Sequence, residues 1–326
     1  MRQVSFPFLS YHSINLGRFP YYEDNPAFYA EHLKNYHFFK VSGCDAILGY
    51  ILNSVVAKLQ WPEFWAIDAA NRTVTLVTGP NATPEERSEL MAQTLTESVR
   101  RGEFEILKGW RNEMYPVYAP NGDFLLEMER CASPLFGIVT YGVHISCYTD
   151  DGNGPLRLWV PRRARTKQTY PGMLDNTVAG GMSTGEKPFE CVVRESMEEA
   201  SLPEDVVRAN AVPTGCITYF YVRDPRAGGE LGLLQPEIEY VYDIKLDPSI
   251  IPKPFDFEVE DFCLLTVDEI KVALANGEFK PNCALVLIDF FIRHGILTPE
   301  NEPDYLEIMA RLHRRLEFPT ASHCPK

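Results

Sequence analysis

The chain has 326 residues, 45% of them hydrophobic and 23% charged, with 45 Asp and Glu against 31 Lys and Arg for a formal net charge of −14 at pH 7. That sign excludes the broad basic face with which proteins hold phosphate backbones, so no nucleic-acid partner is expected. The eight cysteines stand singly with no Cys-x-x-Cys pair, which argues against a zinc site or a disulfide framework and for reduced thiols. No apolar run follows a basic start, so the expected location is cytoplasmic. The most apolar stretch, 284–292, is too short to span a bilayer, and no membrane partner is expected.

Residues 1–125 read as an α+β unit of their own. Within it, 44–59 places Ile47, Ile51, Val55 and Leu59 on one stripe at helical spacing and predicts a buried helix. Residues 64–77 predict a hairpin around Ala70-Asn71-Arg72. Thr83-Pro84-Glu85-Glu86 is a capping box opening a helix to about Arg101, where Gly102 ends it. Residues 114–118 and 124–129 then form a second hairpin across Pro120-Asn121-Gly122-Asp123. The second unit covers 126–326, its core starting near Ser133, with strands at 138–148 and 156–162 joined by the turn-rich 150–154. A basic segment, Pro161 to Lys167, precedes Tyr170-Pro171-Gly172 and Leu174-Asp175-Asn176. An acidic protein that binds a phosphorylated molecule needs such a local excess of cations, and its alternative is a solvated basic loop. Further strands are expected at 216–222, 237–246 and 258–265, then a helix over 267–276 stopped by Gly277. An apolar core helix capped by Asn282 ends near Gly295, and a last helix runs from Pro303 to about Leu316.

The stretch that organises the second unit is Gly180 to Leu202, GGMSTGEKPFECVVRESMEEASL. Lys187-Pro188 starts a helix and Pro203 follows its end, so the segment reads as loop, then helix. Glu195, Glu198 and Glu199 fall at i, i+3 and i+4, which puts three carboxylates on one face within one turn. Like charges so close repel unless a cation lies among them, and hard carboxylate oxygens suit Mg2+ or Mn2+. The alternative is a solvated acidic helix with Glu190-Arg194 and Arg194-Glu198 pairs. The fixed offsets of Gly180 and Glu186 ahead of the carboxylates favour the metal-binding reading.

In Gly180, Glu186, Arg194, Glu195, Glu198 and Glu199 the stretch resembles the Nudix box, the signature of hydrolases that cleave a diphosphate linked to another moiety. Ser196 replaces a usual aliphatic residue and Ser201 the late glycine. The resemblance implies an α/β/α sandwich with a mixed sheet, preceded by a smaller α+β domain, in an α+β protein. It also implies a Mg2+ (or Mn2+) cofactor held by Gly180, Glu195, Glu198 and Glu199, the three glutamates being the catalytic set, with Glu186 and Arg194 pairing behind them. Nudix hydrolases often add one carboxylate from outside the box, for which Glu258 and Glu260 are candidates and Asp256 a weaker one. Arg162, Arg163, Lys167 and Asn176 are the candidate substrate contacts, Arg162 and Lys167 foremost for phosphate. The order of basic loop, Pro-Gly and box is also similar to isopentenyl-diphosphate isomerases. The Asn-Thr-Val-Ala-Gly at 176–180 lacks their catalytic Cys and His.

A narrower resemblance spans most of the chain. Residues 109–113 (GWRNE), 133–137 (SPLFG), 141–144 (YGVH), 171–176 (PGMLDN) and 277–284 (GEFKPNCA) are similar to a thiamine-related Nudix group. That group includes the Nudix half of some fungal thiamine pyrophosphokinases and stand-alone relatives. It implies hydrolysis of thiamine diphosphate, and better of its oxidised forms, to the monophosphate, a metabolite-damage repair activity. The rivals are a hydrolase of ADP-ribose or nucleotide sugars and a non-catalytic diphosphate-binding module. The expected partner is a small-molecule diphosphate, and a homodimer is compatible with the sequence. Trp110, Tyr141, Tyr219 and Tyr221 are candidate stacking faces that read equally as core, and His144 reads as a satisfied core histidine.

Overall fold

The computed structural model describes residues 18–150, 154–167, 169–255 and 258–322. The N-terminal part builds a four-stranded sheet from β1 (Tyr36–Val41), β2 (Cys44–Leu52), β3 (Trp65–Asp68) and β4 (Thr73–Leu76), in the order β2-β1-β4-β3. Helices α1 (Pro26–Leu33), α2 (Asn53–Lys58) and α3 (Pro84–Arg101) surround it, and a hairpin of β5 (Met114–Tyr118) and β6 (Phe124–Glu129) lies on α3. The capping box forms as expected: Thr83 Oγ1 accepts from Glu86 N at 3.3 Å and Glu86 Oε2 accepts from Thr83 N at 2.8 Å. Gly102 ends α3 with φ 63°. Met91 and Leu95 of α3 join Leu126 and Met128 of β6, Phe39 and Phe136 in one core.

The expected helix over 44–59 is mostly strand, since β2 takes Cys44–Leu52 and only Asn53–Lys58 is helical. Of the stripe, Ile51, Val55 and Leu59 are buried and Ile47 is half-buried. The segment Tyr36–Val41, rich in β-favouring Tyr, Phe and Val, pairs antiparallel with β2, placing Phe38 opposite Tyr50. A ladder partner outside the window thus outweighs the local spacing.

After the short helix α4 (Ser133–Phe136) the second part begins. Its six-stranded mixed sheet runs β10 (Ala211–Val222), β11 (Leu234–Lys245), β7 (Thr140–Thr149), β8 (Arg157–Arg163), β12 (Val259–Thr266), with β9 (Val178–Gly181) pairing β7. Pairing is antiparallel except between β11 and β7. Strand β7 is buried over nearly its whole length, as suits a central strand covered on both faces. On one face α5 (Pro188–Ala200) and α6 (Glu204–Asn210) join the core of Val143, Ile145 and Cys147 through Val192, Val193 and Val207. On the other face α7 (Val267–Ala275), α8 (Pro281–Arg293) and α9 (Tyr305–Leu312) surround Leu158, Val160, Ile217 and Val241 with Leu287, Ile288 and Phe291. The fold is therefore α+β with a helix–sheet–helix second part, as the resemblance implied. The helix α8 is not capped by Asn282: Lys280 is its N-cap and Pro281 its first residue, so the Asn282 side chain is free for another task. The last helix is also shorter than expected, Tyr305–Leu312. No described helix is long and apolar enough to cross a membrane.

Candidate active site

Strand β9 delivers Gly180 and Gly181 to a loop that turns into α5. Lys187 is the N-cap and Pro188 the first helical residue, while Ser201 closes the helix at φ 52°, the left-handed position glycine would otherwise take. Gly180 passes directly over Glu195: a β-carbon there would lie 1.9 Å from Glu195 Cδ and 2.1 Å from Oε1. Arg194 ties loop to helix, donating to Glu186 at 2.8 and 3.0 Å, to Gly181 O at 3.2 Å, to Glu195 at 2.7 Å and to Glu198 at 3.1 Å. Glu195 is only 8% exposed, whereas the Glu198 side chain is 53% exposed. Glu199 Oε2 accepts from Ala179 N at 2.9 Å. Burial, then repulsion by Glu195 and Asp175, pushes the Glu199 carboxyl up to about 8. Burial also raises Glu195, against the pull of Arg194. Neither the Arg194 partner of Glu195 nor the Ala179 N–H that Glu199 accepts offsets that effect.

Glu195 and Glu199 face a cavity of about 870 Å3 that also takes in Arg163, Lys167, Lys280, Arg223, Arg111 and Arg130. Lys167 is hydrogen-bonded to Glu258, which Arg111 Nη1 approaches at 3.5 Å. Arg163 is buried against Asp175 at 2.6 Å and donates from Nε and Nη2 to Thr169 O. Tyr219 and Tyr221 line the cavity, Trp110 and Tyr141 do not.

Three of the expected site residues lie elsewhere. Strand β8 continues through Arg163, so alternation turns Arg162 away, and Arg162 Nη1 donates to Gly172 O at 2.9 Å. Asn176 is buried behind the cavity, its Oδ1 2.7 Å from His144 Nδ1. Glu260 is exposed, 3.9 Å from Arg165, and only Glu258 of the two outside carboxylates reaches the cavity. Asp256 lies outside the described residues. His144 is buried among Asn176, Asn282 and Glu239; burial disfavours its charge, but Glu239 Oε1 at 3.6 Å raises its pKa well above the usual value. Asn282 Nδ2 donates to Tyr219 Oη at 3.0 Å, and that hydroxyl, with one proton to give, lies 2.9 Å from Glu239 Oε1 and within hydrogen-bonding distance of Glu237, whose carboxyl is pushed up to about 7 by burial and then by Glu239. Lining residues to which the sequence gave no role include Arg111, Glu113, Arg130, Glu237 and Lys280. Arg111 and Glu113 sit in the GWRNE block and Lys280 in GEFKPNCA, so the blocks themselves were the available signal.

Residues 140–283 match the model of the NUDIX domain, and residues 23–140 match a domain of unknown function (DUF4743). The chain is 45% identical over 241 residues to the uncharacterized Saccharomyces cerevisiae protein YJR142W, covering 72% of this chain and 70% of that one. The chain carries a NUDIX domain. It is also 36% identical over 234 residues to the Arabidopsis thaliana chloroplastic Nudix hydrolase 20, covering 71% of this chain and 59% of the plant protein. Among solved structures, the Deinococcus radiodurans protein DR0079 superposes with a TM-score of 0.40 at 22% identity, over 53% of this chain and 95% of that one. The NUDIX domain and the Nudix hydrolase relatives indicate a hydrolase acting on diphosphate-containing substrates, and Nudix hydrolases generally use divalent cations such as Mg2+. Among the described residues no three His, Cys, Asp or Glu side chains are already closed around a metal position. The donors nevertheless fit a hard cation: Glu195, buried, and Glu199, half-buried, are carboxylates raised by burial, and Gly180 has no side chain to displace the Glu195 carboxylate that it passes over. Magnesium keeps several waters and takes substrate phosphate oxygens, so two protein carboxylates suffice.

Proposed function

We propose that this Nudix hydrolase cleaves thiamine diphosphate, and more readily its oxidised oxo and oxy derivatives, to the monophosphate and inorganic phosphate, using Mg2+ with Mn2+ as substitute. The observation that carries this reading is the convergence of the thiamine-group sequence blocks on one cavity: Arg111, Glu113, Ser133, Pro134, Lys280 and Asn282 line it. From the remaining blocks, His144 and Asn176 form the hydrogen-bonded layer behind it. Tyr219 and Tyr221 give an organic ring aromatic walls.

Glu195, Glu199 and the Gly180 carbonyl would hold the cation, with Glu198 at its open side. Bound there, the cation supplies charge neutralisation of the diphosphate and activation of the attacking water. Arg194 and Glu186 keep the Gly180 loop seated on α5, fixing where the carboxylates point. Lys167 and Arg163 put positive charge beside the leaving phosphate. Glu198 and Glu258 also line the cavity, and on this reading one of them takes the proton of the water.

The test is product analysis with Mg2+ on thiamine diphosphate, its oxidised analogues, ADP-ribose and a nucleotide sugar, for the native chain and Glu199→Gln. Thiamine-type monophosphate plus phosphate, lost in the variant, is the expected result. Turnover of the nucleotide compounds alone would retain the box chemistry and discard the thiamine substrate.

A further inference from the structure

The N-terminal region touches the box at several points. Thr184 of the box loop donates from its backbone N at 2.8 Å and from Oγ1 at 3.2 Å to Met114 O, and Ser183 Oγ lies 3.5 Å from Glu113 Oε1. A β-carbon on Gly181 would fall 1.8 Å from Tyr115 Oη and 3.3 Å from Arg130 Cζ. The second box glycine is therefore required by side chains from outside the Nudix unit. Tyr115 and Arg130 form one block, the guanidinium stacked over the ring at 5.6 Å and Arg130 Nη1 bonded to Glu113 at 2.8 Å. Arg111 is placed by its backbone N on Glu129 Oε1 at 3.0 Å and leans toward Glu258 on the far wall.

Two of the cavity cations native to the Nudix unit are heavily engaged. Arg194 is shared among Glu186, Glu195 and Glu198, and Arg163 gives Nε, Nη1 and Nη2 to Asp175 and Thr169. Arg130 and Arg111 keep side-chain exposures of 39% and 49%, and both line the cavity. A diphosphate carries more negative charge than one divalent cation cancels, and planar guanidinium groups suit phosphate oxygens.

We infer that the region matching the domain of unknown function completes the active site, Arg130 and Arg111 being substrate-phosphate ligands supplied from outside the Nudix fold. This rests on the diphosphate-hydrolase reading and deepens it. The Tyr115 stack and the Glu113 bond preorient Arg130, so the ligand loses little by fixing it.

The experiment uses the full chain with Arg130→Ala, Arg130→Lys, Arg111→Ala and, as a surface control, Arg208→Ala. Binding of Mg2+ with methylenediphosphonate is measured by calorimetry, Mg2+ binding alone in parallel, and turnover of thiamine diphosphate as kcat and KM. Loss of one charged hydrogen-bond donor predicts a fall of about 10- to 100-fold in methylenediphosphonate affinity for each alanine variant, partial recovery in Arg130→Lys, and unaltered Mg2+ binding. Should Arg130→Ala fail to fold, the more exposed Arg111→Ala and the charge-conserving Arg130→Lys decide. Affinities within about twofold of native in the folded arginine variants overturn the inference. If they are native-like while Glu199→Gln is inactive, only this inference falls; if Glu199→Gln keeps full turnover, the hydrolase reading falls first.

Discussion

Replacing Gly180 by alanine separates activity from stability. The added β-carbon would sit 1.9 Å from Glu195 Cδ, at least ~1.5 Å short of ordinary contact, and 2.2 Å from Cγ, so rotating the carboxylate alone does not relieve the overlap. Glu195 must leave its rotamer, breaking its 2.7 Å bond to Arg194. What yields is a side chain rather than the backbone, so the cost in stability is that of modest overpacking, about 1–3 kcal/mol, or a few degrees in Tm. Displacing a reacting-site group by more than 1 Å typically costs about 100-fold in rate. Phosphate release from thiamine diphosphate with Mg2+, measured beside Tm, should therefore show a large loss of kcat/KM in a folded protein. Gly79→Ala, where a β-carbon meets nothing within 4 Å, should change neither. Turnover of Gly180→Ala within about threefold of native would refute the placement of Glu195 at the reacting centre.

The two extra-box carboxylates should separate cleanly: Glu258→Gln lowers kcat/KM by about tenfold or more, while Glu260→Gln, exposed beside Arg165, stays near native in the same assay. Glu199 titrates near 8 folded against 4.5 as a free side chain, so its contribution to stability is present at low pH and is lost as pH rises through about 8. In chelator, Tm should thus fall between pH 6 and 9 relative to Glu199→Gln, and added Mg2+ should raise Tm more at pH 9 than at pH 6; a flat difference would contradict this. Phe136→Ala, emptying a fully buried site in the N-terminal core, should cost about 3–5 kcal/mol by denaturant unfolding. Arg208→Ala removes exposed pairs with Glu190 and Glu204 and a distant stack on Phe189, and should cost about 1 kcal/mol or less.

The box was legible because its chemistry is local: loop, cap, and carboxylates one turn apart fix one another without help from distant chain. The same holds for α3, whose capping box and terminal glycine both sit in the sequence that they delimit. What went unread depends on partners far along the chain. Nothing inside 44–52 reveals that Tyr36–Val41 will pair with it, and nothing in the basic segment tells that β8 runs far enough to send Arg162 and Arg163 to opposite faces. Asn282 reads as a cap by residue type, yet Lys280-Pro281 already starts the helix and Asn282 is drawn to Tyr219. Arg130 had no local signal at all. Its meaning arises only where β6 ends against Gly181.

The parallel pairing of β7 with β11 has a consequence in time. Strand β7 ends at Thr149 and its neighbour begins at Leu234, with β8, β9, α5, α6 and β10 between them. At ordinary synthesis speeds that interval lasts on the order of ten seconds, during which one edge of the most buried strand waits without its ladder. The Met114 carbonyl, which will anchor the Thr184 backbone, is made well before the box loop. The emerging chain thus has a docking template for its metal-binding loop before it has a finished sheet. Chains interrupted before Leu234 should be held at that template and aggregate through the open edge of β7.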